Sequence, residues 1–270
     1  MNLLLKKLNK IRKNKGCALI PFLTAGYPNI NLTIKALIEL DLQGADFIEL
    51  GIPYSEALGD GPLIQNSSKI ALNQHIYLTE VLDLISKSKN RLNTPIILFT
   101  YYNLILVRGV FKFILEIYKL NILGLIIPDL PIEEIDYLNE LCDYYDIELI
   151  LFIAPTSSIS RINFILSKAS ECIYLVQDVG VTGIRTYLNY NTAKLSSYIK
   201  SKTNKFLILG FGISSVSQVN DIIKWNIDGI VVGSAFTRIF FNNYLNENSD
   251  INVIKLLGEF CKELSVIVKK

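Results

Sequence analysis

Two carboxylates within residues 47–65 have the setting that acid/base chemistry requires. Glu49 lies inside an apolar run typical of a strand, and Asp60 follows in a Gly-rich loop. A carboxylate among apolar neighbours is costly to bury unless it is paired or its pKa rises, and a general acid needs such a raised pKa. The residues therefore predict a proton-transfer site. The alternative is that Glu49 faces solvent.

Composition and charge exclude several classes of protein. The chain has 270 residues, of which 50% are hydrophobic, so one domain can bury a large core. The 27 Lys and Arg residues balance 25 Asp and Glu residues, which argues against a nucleic-acid partner. The basic segment 6–15 alternates with apolar residues and is more typical of an amphipathic helix than of a phosphate-binding patch. No apolar run approaches the roughly 20 residues of a membrane span, so we expect a soluble protein without a membrane partner.

The cysteines and the single histidine limit the chemistry further. The four cysteines are far apart and form no C-x-x-C pair, which predicts buried, reduced thiols in a reducing compartment. A bias towards Asn, Ile, Lys and Tyr is typical of an AT-rich genome, so we expect the bacterial cytoplasm or a plastid stroma. His75 has no neighbouring partners, so neither a His-based triad nor a metal site is expected.

Eight short apolar runs alternate with segments of helical period. Runs that are apolar throughout are typical of parallel strands buried on both faces. Eight strand–helix units without a linker predict a single (β/α)8 TIM barrel, and a doubly wound sheet is the alternative. The runs span residues 17–26, 47–53, 94–102, 124–130, 148–156, 172–179, 206–214 and 229–236.

The chain is therefore expected to be one domain, 1–270. We assign residues 1–15 to an N-terminal helix, 17–240 to the barrel and 250–269 to a C-terminal helix. Two of the barrel helices have clear beginnings: the segment 131–142 starts with a proline, and the segment that starts at 215 has Ser214 or Ser215 as its cap.

Glycine-rich segments follow the last two predicted strands. In a barrel, the carboxyl ends of strands 7 and 8 commonly form a phosphate site with a helix N-terminus. Gly212, Gly233 and Ser234 could supply it with backbone N–H groups and a hydroxyl. After strand 6, Gly180 and Gly183 flank a threonine, which predicts a mobile lid or else a plain surface turn. No predicted strand carries a lysine, which argues against a Schiff-base aldolase.

Seven motifs in this order resemble the tryptophan synthase α subunit family. The Glu49 and Asp60 pair in its Gly-Pro setting is the most specific of them, and the resemblance extends over residues 17–240. The motifs are Pro21-Phe-Leu-Thr-Ala-Gly-Tyr-Pro, Glu49-Leu-Gly-Ile-Pro-Tyr-Ser through Asp60-Gly-Pro-Leu-Ile-Gln, Pro128-Asp-Leu-Pro, Ala154-Pro-Thr, Gly180-Val-Thr-Gly, Gly210-Phe-Gly-Ile and Val232-Gly-Ser-Ala.

The resemblance implies a lyase that cleaves indole-3-glycerol phosphate into indole and glyceraldehyde 3-phosphate without a metal or an organic cofactor. Glu49 would carry a proton between the glycerol hydroxyl and indole C3. Asp60, ionised in a polar loop, would accept a hydrogen bond from indole N1–H. The implied indole pocket comprises Phe22, Ile64, Tyr101, Tyr174 and Phe211, with Thr182 closing the lid and Gly183, Gly212, Gly233 and Ser234 holding the phosphate.

The resemblance also implies a partner, the pyridoxal-phosphate-dependent β subunit, in an α2β2 complex that passes indole through a tunnel. One departure concerns the loop that carries Asp60. The family usually has Ser-Asp-Pro where this chain has Ser55-Glu56-Ala57, and the loss of proline should loosen the loop. Two hypotheses stay open at this point: a catalytic lyase subunit, and a regulatory subunit that activates the β partner with little turnover of its own.

Overall fold

The structure is a closed barrel of eight parallel strands. It is a computed structural model that describes residues 2–176, 190–210, 212–213, 215–244 and 250–269. The strands pair in chain order and β1 closes the ring against β8, so the TIM barrel is confirmed and the doubly wound sheet is excluded. The strands are β1 Ala18–Thr24, β2 Ile48–Gly51, β3 Ile96–Phe99, β4 Gly124–Ile126, β5 Glu148–Ile153, β6 Cys172–Val176, β7 Phe206–Gly210 and β8 Gly229–Val232.

The helices surround the strands. The first helix of the chain covers the amino end of the barrel, and the last packs on its outside. The helices within the described residues are α1 Leu3–Lys13, α2 Ile30–Leu42, α3 Pro62–Asn73, α4 Leu78–Ser88, α5 Tyr102–Arg108, α6 Val110–Lys119, α7 Asp136–Tyr144, α8 Ile159–Lys168, α9 Tyr190–Lys202, α10 Val216–Ile222, α11 Ser234–Tyr244 and α12 Asp250–Val268. Leu4, Leu5 and Leu8 of α1 pack into the lower end of the barrel interior, and α12 packs against α2 and β1.

Alternate residues of each strand divide between two cores. Along β1, Ala18, Ile20 and Phe22 point into the barrel interior, whereas Leu19 and Leu23 join the layer between strands and helices. Both faces are apolar because a parallel barrel has no solvent-facing side. An inward polar side chain is therefore conspicuous, and Glu49 is one.

The element boundaries differ from the sequence predictions at the carboxyl ends of the strands. The predicted run 94–102 contains a strand of only four residues, Ile96–Phe99, and α5 begins at Tyr102. Pairing ends where the neighbouring strand ends, and the apolar residues beyond that point pack over the barrel mouth. The predicted helix 131–142 is split into a 3-10 turn, Ile132–Glu134, and α7, and the side chains of Ile132 and Ile135 are buried at this break. Of the two serines predicted to cap α10, Ser215 does so and accepts a hydrogen bond from the backbone of Gln218.

The four cysteine side chains are buried and form no disulfide, which agrees with the prediction of buried, reduced thiols. Burial raises the pKa of each thiol, so none has the character of a reactive thiolate. Separately, none of the helices in the described part of the chain is long and apolar enough to cross a bilayer.

Candidate active site

Glu49 is a buried carboxylate at the mouth of the barrel. It lies in β2, in register with Phe22 of β1 and Ile97 of β3, and is 2% exposed. Its Oε2 atom has no hydrogen-bond partner among the described residues. Burial, and secondarily the charge of Asp60, raises the pKa of Glu49 to about 8. At neutral pH Glu49 is therefore mainly protonated and can act as an acid.

Asp60 lies in the loop between β2 and α3 and lines the same cavity. Its carboxylate accepts a hydrogen bond of 3.1 Å from the hydroxyl of Tyr101. The side chain is 6% exposed, so it is buried and not in the polar surroundings that the sequence suggested. Burial raises its pKa to about 6, and the bond from Tyr101 opposes that rise. Asp60 is thus mainly ionised at neutral pH, as expected, although in an apolar setting.

Other buried carboxylates lie at the opposite end of the barrel and are hydrogen-bonded to backbone. Asp46 accepts from Leu19 N, and Glu148 accepts from the backbone of residues 171 and 172. Burial opposes the ionisation of Asp228, but hydrogen bonds from Arg12 and Lys200 hold its pKa below the usual value. These acids join neighbouring elements at the amino ends of strands, where a structural role is usual. Glu49 differs because its Oε2 is left without such a bond.

Most of the sequence-predicted site residues come together around one cavity. Tyr101 does not line it but contacts Asp60 instead. Thr182, Gly183 and Phe211 lie outside the described residues, so their roles stay predictions. The cavity is lined by Phe22, Glu49, Asp60, Ile64, Phe99, Tyr174, Gly212, Val231, Gly233 and Ser234.

Two lining residues, Phe99 and Val231, were missed by sequence reasoning. Both lie on the inward face of their strands, two residues before Tyr101 and Gly233 respectively. The signal that would have found them is the period-two alternation of strands, counted back from each polar or glycine residue at the strand end.

Tyr174 explains why a glycine ends β7. Its ring lies in the space that a side chain at residue 210 would need: a Cβ on Gly210 would lie 1.9 Å from the Tyr174 hydroxyl oxygen. Burial and the charges of Glu49 and Asp60 raise the pKa of Tyr174 well above its usual value, so the phenol stays neutral. Two residues on, Gly212 has a φ of +81°, a conformation that glycine adopts without strain. Gly210 thus leaves space for the neutral phenol of Tyr174, and Gly212 allows a tight turn at the mouth of the barrel.

One part of the cavity wall has the features of an anion site. Ser234 is the first residue of α11, directly after Gly233, and both line the cavity with Gly212. The N-terminus of a helix presents backbone N–H groups and a positive dipole end, which favour phosphate. This is the position at which barrels commonly hold phosphate, beside strands 7 and 8. For metals, the described residues contain no group of three or more His, Cys, Asp or Glu side chains suited to an ion.

The fold and the site together define a class: a (β/α)8 barrel with a cavity at the carboxyl ends of its strands that is lined by two buried carboxylates. The family profile of the tryptophan synthase alpha chain matches residues 8–268. The chain belongs to the tryptophan synthase alpha chain family.

Similar proteins support this membership over nearly the whole chain. The tryptophan synthase alpha chain of Gracilaria tenuistipitata var. liui is 56% identical over 253 residues, covering 94% of this chain and 92% of that one. That of Trichodesmium erythraeum (strain IMS101) is 43% identical and covers 96% of each chain. A solved structure of Mycobacterium tuberculosis tryptophan synthase superposes with a TM-score of 0.89 at 27% identity, covering 100% of this chain and 99% of that one.

Members of this family cleave indole-3-glycerol phosphate, and the chain is accordingly a carbon–carbon lyase of tryptophan biosynthesis. Of the two hypotheses that the sequence left open, this favours the catalytic subunit.

Proposed function

We propose that Glu49 and Asp60 carry out the cleavage of indole-3-glycerol phosphate, with Glu49 as the proton carrier and Asp60 as the fixed negative charge. One observation carries this proposal: two buried carboxylates line one cavity, and their pKa values lie on opposite sides of neutrality. Such a division is typical of sites in which one carboxyl group donates a proton while the other stays ionised.

Glu49 acts twice in the proposed cycle. It first gives its proton to indole C3, which places positive charge on the indole ring and its nitrogen. The resulting carboxylate then takes the proton of the glycerol hydroxyl, so that the carbon–carbon bond breaks and the hydroxyl carbon becomes the aldehyde. Indole and glyceraldehyde 3-phosphate leave, and Glu49 is again protonated. Every proton is accounted for without a further acid or base.

Asp60 stabilises the charge that develops between these two transfers. Its carboxylate accepts a hydrogen bond from indole N1–H, and its negative charge stabilises the positive charge of the ring. The interaction is stronger in a buried site than in water because the effective dielectric constant is lower. Phe22, Ile64 and Tyr174 would flank the indole, and the Gly233–Ser234 segment with Gly212 would hold the phosphate. Phe211, Thr182 and Gly183 are proposed to complete the pocket, the lid and the phosphate site.

The two assignments predict a bell-shaped pH dependence of kcat/KM for indole release. Below about pH 6, Asp60 becomes protonated and loses the charge that stabilises the ring, so the rate falls. Above about pH 8, Glu49 is ionised and has no proton for C3, so the rate falls again. Initial rates of indole formation between pH 5 and pH 9.5 test this.

The phosphate of the substrate is a control for this profile because its second pKa is also about 6. An acidic limb that persists unchanged in Asp60→Asn belongs to the substrate. A rate that is still rising at pH 9 would contradict the role of Glu49 as the initial acid.

We further propose that the chain acts with a tryptophan synthase β subunit in an α2β2 complex, with pyridoxal phosphate in the β subunit and no cofactor in this chain. Exposed apolar side chains in the segments that follow β2 and β3 support a docked partner: Leu58 of the β2–α3 loop is 84% exposed, and Leu106 and Val107 of α5 are 52% and 81% exposed. Relatives in red algae and cyanobacteria support a plastid stroma or a bacterial cytoplasm as the compartment.

The partner is tested by mixing the chain with a β subunit. We expect co-elution and faster indole release than from the chain alone, because docking would order the loops at the barrel mouth. Val107→Ser should weaken the complex while the isolated chain keeps its activity. Ile251→Ser, which changes a residue 78% exposed at the start of α12, is the matched control and should bind normally. Separate elution at micromolar concentrations would contradict the proposal.

A further inference from the structure

The loop that carries Asp60 is held by one side chain from the following helix. Gln65, in the first turn of α3, donates from Nε2 to the carbonyl oxygens of Ala57 at 3.1 Å and of Asp60 at 2.9 Å. Asp60 N also donates to Ala57 O at 3.0 Å, which closes the turn between them. One amide group thus joins both ends of the segment 57–60 to the helix.

We propose that Gln65 is a positioning residue for Asp60, which it holds at the cavity by fixing the backbone of the segment 57–60. This inference rests on the role proposed for Asp60 above. Gln65 itself does not line the cavity, so it acts on the reaction only through the loop.

The segment 57–60 needs such a restraint. Ala57 and Asp60 are buried, whereas the two residues between them, Leu58 and Gly59, are exposed. Ala57 is not a proline, so no pyrrolidine ring restrains its backbone. The bond from Gln65 to Ala57 O restrains the chain at this same residue.

The carboxylate end of Asp60 is held separately, by Tyr101. The Tyr101 ring stacks on Tyr54 with centroids 4.8 Å apart and meets the Phe99 ring edge-on at 6.1 Å. Its hydroxyl is thus a fixed donor at 3.1 Å from the Asp60 carboxylate. A hydrogen bond of this length weakens when its acceptor moves by a few tenths of an ångström. Asp60 can therefore keep its bond to Tyr101 only while Gln65 keeps the backbone in place.

The test compares Gln65, in the first turn of α3, with Gln74, at the end of the same helix. Gln65→Met keeps the length of the side chain but removes both donated bonds. The matched control is Gln74→Met, because Gln74 at the end of α3 also donates from Nε2 to two carbonyl oxygens, those of Pro28 and Ile70, away from Asp60. Three quantities are measured for each variant and for Asp60→Asn: kcat/KM for indole release, the pH of the acidic limb, and Tm.

We expect Gln65→Met to lower kcat/KM about tenfold, the size that the loss of two ordinary hydrogen bonds can produce. Its acidic limb should move to lower pH, because the burial that raises the pKa of Asp60 is a larger effect than the bond from Tyr101 that lowers it, and both are reduced when the loop moves. Gln74→Met should keep the wild-type kcat/KM and acidic limb, even if its Tm falls by as much as that of Gln65→Met.

Two results would overturn the inference. The first is a Gln65→Met variant with wild-type kcat/KM and acidic limb while Asp60→Asn is inactive. The second is an equal loss of activity in Gln74→Met, which would assign the effect to general destabilisation of the helix. If Asp60→Asn itself retains full activity, the role proposed for Asp60 fails. This case is read from Asp60→Asn alone and does not depend on the two glutamine variants.

Discussion

Replacement of Glu49 by glutamine will lower the rate of indole release by about 10²–10⁴-fold, the contribution usual for a general acid–base group. Glutamine has the shape of glutamic acid but can neither give a proton to indole C3 nor take one from the glycerol hydroxyl. Binding should survive, because the apolar walls and the phosphate end of the cavity are unchanged. The measurement is indole formation from indole-3-glycerol phosphate, together with the dissociation constant of the unreactive analogue indole-3-propanol phosphate.

Glu148→Gln is the matched control for this variant. Glu148 is also a buried strand glutamate, 3% exposed, but it lies at the start of β5. Both of its backbone bonds are accepted by Oε1, an atom that glutamine retains. We expect Glu148→Gln to keep its activity. Turnover in Glu49→Gln within a few-fold of wild type would contradict the proton-carrier assignment.

Asp60→Asn should lower kcat by about 10²–10³-fold, as expected when a preorganised electrostatic group loses its charge. The amide oxygen of asparagine can still accept a hydrogen bond from Tyr101 and from indole N1–H. It cannot balance the positive charge that forms in the ring once C3 is protonated. The loss should therefore fall mainly on kcat, with a smaller change in KM, because the positive charge of the ring forms only when C3 of the bound substrate is protonated.

The control for this variant is Asp46→Asn. Asp46 is as buried as Asp60, each 6% exposed, but it accepts from Leu19 N at the amino end of the barrel. Its replacement should affect Tm and leave kcat unchanged. If Asp60→Asn raised KM strongly and left kcat intact, Asp60 would be a binding group that acts equally in the ground state and the transition state.

Local patterns were sufficient to predict the barrel and the two carboxylates. The apolar runs are short and alternate with helical segments, so their number and order indicate a parallel barrel whatever their exact ends. The setting of Glu49 was equally local, because its neighbours in the strand are apolar on both sides. A strand in a parallel barrel is buried on both faces, so a carboxylate within it is buried too.

The role of Tyr101 is a case in which sequence reasoning was incomplete. The resemblance placed it among the residues that surround the indole, which stays a prediction, and gave no indication that its hydroxyl donates to Asp60, a residue 41 positions away in the chain. Which atoms meet at a strand end depends on the register of neighbouring strands and the path of the loop between them. Neither quantity is encoded in the local pattern around residue 101.

The fold, the two carboxylates and the glycine-rich strand ends could thus be predicted from the chain alone, because each depends on residue types within a few positions of one another. The surroundings of those groups could not, because they depend on contacts between distant segments. Tertiary structure left Glu49 Oε2 without a hydrogen-bond partner among the described residues, while Asp46 and Glu148 are paired with backbone N–H groups. It also brought Gln65 against the loop of Asp60. Burial and hydrogen-bond partners set a pKa and a position, and both arise only when distant segments pack together.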